Sequence, residues 1–327
     1  MELTLFGLLQ LLVLGAIVAL VLVVIFIYMT TDPKPDTRRY DSEKYFVDPT
    51  AGSDQKHPFP SLGDGASLDL SVIVPSYNEE LRLPVMLDEA IGFLENKQKE
   101  KKSFLYEVIV VDDGSKDSTT KVALEYSKKY GTDRVRVLTL AKNRGKGGAV
   151  RLGMLSARGR NVLFADADGA TKFADLQKLE ESLKKINTKE DNMAIVCGSR
   201  AHLQDEAVAQ RSFFRTVLMY GFHFLVWFLC VRGVRDTQCG FKLMTRETAA
   251  RLFTNLHVNR WAFDVELLYL AQALKIPTAE VAVNWHEIDG SKMVPVFSWI
   301  QMGKDLILIR LRYMLGVWQI HDKVKLQ

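Results

Sequence analysis

Three short, β-branched apolar runs that stop abruptly at polar and acidic residues set the narrowest limits on how this chain folds. Leu70–Pro75 (LSVIVP) runs into Ser76-Tyr77-Asn78-Glu79-Glu80, and Tyr106–Val111 (YEVIVV) into Asp112-Asp113-Gly114-Ser115. Val162–Ala165 runs into Asp166-Ala167-Asp168-Gly169. Runs of this length without alternation are strands buried on both faces, as in a parallel sheet. Helical patterns separate them. Pro84 is placed to open a helix to about Lys99, Asp117 and Ser118 to cap one reaching about Tyr130, and Asn143–Gly148 to lead into one ending near Ala157. Val135–Leu140 and Met193–Cys197 add two strands. The alternation predicts an α/β domain with a mostly parallel, Rossmann-like sheet and helices on both faces.

Ligands of such sheets bind at the carboxyl edge, where all three loops emerge. Asp166 and Asp168 stand two residues apart, so in extended chain both carboxylates face the same way. Two hard oxygen donors at that spacing suit Mg²⁺ or Mn²⁺ arriving with substrate phosphates; an ordinary acidic turn is the alternative for the pair taken alone. The Asn143-Arg144-Gly145-Lys146-Gly147-Gly148 loop offers backbone N–H groups and Lys146 to a diphosphate. It is not a P-loop, because Gly147 follows the lysine where Ser or Thr belongs. Nor is it a dinucleotide fingerprint, because Val150 replaces the third glycine. A nucleotide laid across these loops could meet an aspartate at its base imide or ribose hydroxyl.

From Leu3 to Met29 there is no charged residue, a run of about 27 residues against the roughly 20 that cross a bilayer core. A signal peptide would have a basic start and a shorter apolar core, whereas Glu2 is the only early charge. Lys34, Arg38 and Arg39 follow the run and no basic residue precedes it, which puts the N-terminus across the membrane and the rest of the chain in the cytosol. Cys197, Cys230 and Cys239 form no disulfide framework or zinc spacing and fit a reducing compartment. The 43 basic and 39 acidic residues nearly balance, which excludes a nucleic-acid binder driven by bulk charge. Prolines and glycines break all periodicity over 32–66, which reads as a stem with little regular structure. The expected organisation is a spanning helix over 1–31, the stem over 32–66, a catalytic domain over 67–290 and membrane-proximal amphipathic helices over 291–327.

Taken in order, VIVPSYNEE, VVDDGSKD, KNRGKGGA and ADADGAT resemble the inverting family-2 glycosyltransferases with the GT-A fold. CGSRAHL, RDTQCGFKLM and NRWAFDVELL narrow the resemblance to members that glucosylate dolichyl phosphate at the endoplasmic reticulum membrane. The likeness covers about residues 68–315. It implies UDP-glucose as donor, dolichyl phosphate as acceptor and a divalent ion on Asp166 and Asp168. It also implies nucleotide-binding positions at Pro75, Tyr77, Glu79 and Asp112 or Asp113, and the candidate nucleotide-sugar set further takes in Lys146, Gly147, Asp166, Ala167 and Gln238. Ala170 stands where some relatives supply a third metal ligand, so water or phosphate oxygens would complete the shell.

Arg200 ends a strand, and Arg211 and Arg215 lie four apart on a helical stretch. The matching arginines of the family meet lipid phosphate, and a guanidinium fork suits that task; a solvated basic face is the alternative. Asp236, Asp264 and Glu266 are candidates to hold glucose hydroxyls or orient the acceptor. Because a phosphate monoester is largely dianionic at neutral pH, Asp236 and Asp264 are expected to act by positioning rather than as a base. Val217–Val231 gives a helix of about 22 Å, too short to span, and so buried or interfacial. Val294–Trp318 mixes aromatics with Lys304, Arg310 and Arg312 and suits a bilayer surface; a helix packed on the domain is the alternative. Rival readings are a GDP-mannose-dependent transferase, a silent nucleotide-sugar receptor in the membrane, and a nucleotidyltransferase. No feature sets an oligomeric state.

Overall fold

The computed structural model describes residues 5–50, 55–188, 190–203, 213–288 and 297–321. A helix, α1 (Leu5–Thr30), carries the uncharged run and is long and apolar enough to cross a membrane. The domain is built on seven strands: β3 (Leu68–Ser76), β4 (Tyr106–Asp112), β5 (Val135–Thr139), β6 (Gly159–Ala165), β7 (Ile195–Ser199), β8 (Phe241–Thr245) and β9 (Thr278–Ala282). Their order is β5-β4-β3-β6-β8-β7-β9. Neighbours are parallel except at β8, which runs antiparallel to both β6 and β7.

Side chains alternate between the two faces of each strand. Ile73, Ile109, Val111, Val162 and Phe164 join one buried layer, with α4 (Lys146–Met154), α7 (Arg246–Asn255) and α8 (Phe263–Ala273). Val72, Val74, Val108, Val110 and Leu163 join the other, with α2 (Leu83–Glu100) and α5 (Leu176–Ile186). Between β4 and β5 lies α3 (Thr119–Tyr130). Pro84 sits in the first turn of α2, where its missing N–H costs nothing. Because β3, β4, β6, β7 and β9 all point one way, Ser76, Asp112, Ala165, Ser199 and Ala282 end at a single edge. Antiparallel β8 starts there, so its lead-in Gln238–Gly240 joins them.

The segment read as a stem packs onto this domain. It carries a 3₁₀ turn (Asp41–Lys44) and a two-stranded ladder of β1 (Tyr45–Val47) and β2 (Lys56–Pro58), with Glu43 and Leu62 buried. Its regularity is too short for a sequence period to reveal. Side-chain contacts hold it: Arg136 lies 5.4 and 5.5 Å from the ring centres of Phe46 and Phe59, and Arg39 donates to the Leu152 carbonyl at 3.1 Å. The end of α1 docks beside the C-terminal helix α9 (Phe297–Met314). Tyr28 donates its hydroxyl to the Leu315 carbonyl at 2.6 Å, and the Trp318 indole donates to the Asp32 carbonyl at 3.1 Å. The helix α6 (Phe213–Leu229) packs against α9.

At the opposite edge, Glu107 is fully buried and ties β3, β4 and β5 to the residue that leads into β6. It accepts from the Ser71 hydroxyl at 2.6 Å, from the Arg158 N–H and Nε at 2.8 and 2.9 Å, and from the Arg136 guanidinium. Removing one partner of such a cluster strands buried charge. Glu107→Ala should therefore lose about 3–5 kcal/mol of stability, read as a lowered unfolding midpoint of the detergent-solubilised chain.

Candidate active site

At the carboxyl edge lies a cavity of about 480 Å³. Its wall includes Pro75, Tyr77, Glu79, Asp113, Lys146, Asp166, Ala167, Asp168, Arg200, Gln238 and Asp264 of the residues expected from sequence. Asn143, Gly145, Arg82, Arg260, Trp261, Trp285 and Glu287 line it as well.

Asp166 forms the floor where β6 and β8 meet. Its N–H donates to the Gly240 carbonyl at 3.0 Å, and its carboxylate lies against the Gly240 backbone so closely that a Cβ there would stand 2.0 Å from Oδ2. Only glycine admits that carboxylate. Asp168 turns one oxygen to the Ala170 N–H at 3.0 Å. Among the described residues no third Asp, Glu, His or Cys joins them in a metal-binding cluster. A glycine-backed carboxylate with a second carboxylate two residues on fits a hard divalent ion whose remaining ligands are water and phosphate oxygens.

Lys146, from the first turn of α4, reaches Asp166 at 2.7 Å. Burial works against its charge, but Asp166, Asp264 and Asp168 outweigh burial and raise its pKa. The glycines around it serve packing. A Cβ at Gly147 would lie 2.6 Å from Cβ of Phe263, and one at Gly145 would lie 2.7 Å from the Asn259 carbonyl. The loop's N–H groups are largely spent inside the protein: Arg144 and Gly145 donate to the Asp113 carboxylate at 2.6 and 2.8 Å, and Gly148 donates to Asn259 at 3.0 Å. Lys146 thus reaches the cavity through its side chain. Burial pushes the Asp113 carboxyl up to about 6, with those two N–H groups opposing.

The loops after β3 and β4 are stitched together. Ser115 Oγ accepts from the Asn78 N–H at 2.9 Å, Asn78 Oδ1 from the Lys116 N–H at 2.8 Å, and Thr119 Oγ1 from the Glu79 N–H at 2.8 Å. Across the cavity, Arg200 leaves the end of β7. Asp236 grips its guanidinium at 2.7 and 2.9 Å and its N–H at 2.9 Å, while Trp285 lies 5.4 Å from it at the ring centre. Burial would raise the Asp236 carboxyl, but Arg200 outweighs it and holds the group below the usual carboxylate range. Asp264 is held by the buried Lys242 at 2.5 Å; burial raises its pKa in spite of Lys242 and Lys146.

Four residues expected at the ligand lie behind the wall. Asp112 turns to the Ser115 N–H at 2.9 Å and to the Thr120 hydroxyl. Gly147 is packed under Phe263, and Asp236 backs Arg200. Glu266 is fully buried and accepts from the Val258 N–H at 2.6 Å and the Tyr313 hydroxyl at 2.7 Å. Arg211 and the side chain of Arg215 lie outside the described residues. Sequence reasoning passed over Arg82, Trp285 and Glu287. Arg82 could have been found three residues after Glu79, which it pairs. Trp285 and Glu287 owe their place to pairing of 284–286 with 170–172, including Lys172 N–H to the Asn284 carbonyl at 2.9 Å and a bridge between Thr171 and Trp285.

A mostly parallel sheet with a strand-end carboxylate pair in a cavity at its carboxyl edge fits a glycosyltransferase of the GT-A fold. Within that class the chain belongs to Glycosyl transferase family 2, whose pattern matches residues 71–253. It is 61% identical to the dolichyl-phosphate beta-glucosyltransferase of Homo sapiens over 98% of each chain. It is 43% identical to that of Saccharomyces cerevisiae over 94% of each. Glucosyl-3-phosphoglycerate synthase from Mycobacterium tuberculosis, solved with Mn²⁺, UDP-glucose and phosphoglyceric acid, shares the fold at a TM-score of 0.51 and 18% identity, covering 77% of this chain and 82% of that one.

The clash at Gly240 gives a direct test. Gly240→Ala should displace the Asp166 carboxylate and lower transfer activity about 10–100-fold, the range for groups that orient a metal ligand. An unchanged unfolding midpoint would localise the effect to the site.

Proposed function

We propose that the chain transfers glucose from UDP-glucose to dolichyl phosphate with inversion, giving dolichyl β-D-glucosyl phosphate. The observation that carries this reading is one cavity with the Asp166–Asp168 pair at its floor and Arg200, aimed by Asp236, on its far wall. One side suits a nucleotide diphosphate sugar and the other a second phosphate. The relatives' names supply dolichyl phosphate as acceptor and glucose as the group transferred, and the family resemblance supplies UDP as its carrier.

In this reading, Pro75, Tyr77, Glu79 and Asp113 receive the uridine, with the Asp113 carboxylate accepting from the base imide. Lys146 faces the diphosphate and gives up part of its contact with Asp166 as the donor arrives. Bound by Asp166 and Asp168, Mg²⁺ or Mn²⁺ supplies Lewis-acid neutralisation of charge growing on UDP. Arg200 holds the lipid phosphate, and Asp236 keeps its planar fork in place. A phosphate oxygen attacks C1 from the face opposite UDP, the C1–O bond to the diphosphate breaks, and its electron pair leaves on UDP. The dianionic acceptor needs no proton removed. Asp264 orients the glucose.

The membrane geometry agrees. Phe224, Trp227 and Phe228 on α6 are exposed at 58%, 52% and 60%, and Ile300, Ile307 and Met314 are exposed on α9. At 17 residues α6 is about 26 Å long, short of a span. We read these helices as lying in the interface beside the α1 anchor, in the endoplasmic reticulum membrane with the domain cytosolic. Lys34, Arg38 and Arg39 after α1 favour that orientation.

Transfer from radiolabelled UDP-glucose to dolichyl phosphate by the solubilised chain tests the reading. It should yield a glucolipid only with Mg²⁺ or Mn²⁺, and Asp168→Ala should cut the rate by more than about 100-fold. Product from GDP-mannose instead would overturn the donor.

The Asp113 pKa near 6 sets a second expectation. Its carboxylate, the accepting form, prevails above that pH and is lost below it. KM for UDP-glucose should therefore rise as pH falls through about 6, by at most about tenfold per unit. Asp113→Asn should flatten that limb while leaving the acceptor KM profile unchanged.

A further inference from the structure

Glu43 lies in the segment joining the membrane helix to the domain, outside the cavity, yet it is fully buried. Its oxygens are engaged on both sides. Oε2 accepts from the Tyr40 N–H at 3.0 Å and from the Arg144 guanidinium at 2.6 Å, and Oε1 accepts from the Ala141 N–H at 2.9 Å. Arg144 also donates to the Arg38 carbonyl at 2.6 Å and sits 5.2 Å from the Tyr40 ring centre. A buried carboxylate is tolerated only when paired and hydrogen-bonded; Arg39 of its own segment adds electrostatic attraction, and every hydrogen bond to the carboxylate beyond that from Tyr40 comes from the loop between β5 and α4.

Ala141 and Arg144 bracket that loop, and Asn143, Gly145 and Lys146 from it line the cavity. The loop also closes on the neighbouring wall. Arg144 and Gly145 donate their N–H groups to the Asp113 carboxylate, and the Asn143 amide donates to the Asp113 carbonyl at 3.0 Å. One carboxylate outside the catalytic machinery therefore fixes the start and middle of the loop that carries the donor contacts.

We infer that Glu43 is a positioning residue for donor binding: the juxtamembrane segment holds the Ala141–Lys146 loop, and through it Asp113 and Lys146, in the geometry that takes the nucleotide. This rests on the reading of the cavity as a UDP-glucose site. Coupling between the segment and the donor is reciprocal, so whatever order the segment lends to the donor site, bound donor returns to the segment.

Two measurements on the full chain in detergent test it. In Glu43→Gln the amide oxygen still accepts one N–H, but its NH₂ turns donor against donor toward Arg144. KM for UDP-glucose should rise about tenfold, within the range for coupled sites, with KM for dolichyl phosphate unchanged. Arg144→Met should give the same shift, and the double variant should add little. A fall in kcat with both KM values unchanged overturns the inference, since that is what a purely structural role produces. The second measurement uses the unaltered protein and hydrogen exchange with UDP and Mn²⁺. Bound UDP should slow exchange at the Tyr40 and Ala141 amides together with those of Asn78, Glu79 and Asp113. Protection of the donor loops without Tyr40 and Ala141 overturns the inference and leaves the donor reading standing. No protection anywhere overturns both.

Discussion

The site depends on a single close approach, the Asp166 carboxylate against the bare backbone of Gly240. β6 and β8 are antiparallel neighbours, so the end of one meets the start of the other, and the Asp166 N–H to Gly240 carbonyl bond continues their ladder by one rung. That rung sets where the chain leaves the sheet. It directs the first carboxylate into the cavity and lets the second follow two residues later. Any side chain at 240 would occupy the same space.

Much of the rest of the edge is organised by paired buried charge. Lys242 holds Asp264, Asp236 holds Arg200, and Glu43 holds Arg144. Desolvating these groups opposes folding, and only their partners and extra hydrogen bonds offset that cost. What such pairs contribute is direction. Arg200 cannot swing away from Asp236 without leaving a buried carboxylate held only by the Arg200 backbone N–H, so its guanidinium is presented at one angle. The loop after β5 likewise turns its backbone N–H groups to Asp113 and Asn259, leaving the Lys146 side chain to face the cavity.

Strands β3 to β7 and their carboxyl-edge loops are legible in the sequence because burial on both faces demands continuous apolar runs, and these end where the polar loops begin; β8 and β9 are not, because Lys242 and Glu280 interrupt their short runs. Pro84, Asp166, Asp168 and Arg200 are found where such reasoning expects them. The packed segment over 32–66 is not legible, since its order comes from Glu43, Phe46 and Phe59 meeting residues about a hundred positions away. Trp285 and Glu287 are hidden for the same reason: a short pairing with 170–172 brings them to the cavity. Asp112 and Asp113 are equivalent as letters. Only the turn decides that Asp113 faces the cavity while Asp112 serves Ser115 and Thr120.

By itself, then, the sequence determined an apolar helix able to span a bilayer, a mostly parallel sheet and a carboxylate pair at its carboxyl edge. Those features follow from local periodicity and from where hydrophobic runs stop. The tertiary structure alone decided which carboxylates face the cavity and which stand behind it. It also decided that the loop glycines serve packing and that the juxtamembrane segment belongs to the domain. Those outcomes depend on contacts between residues far apart in the chain, and no local pattern encodes them.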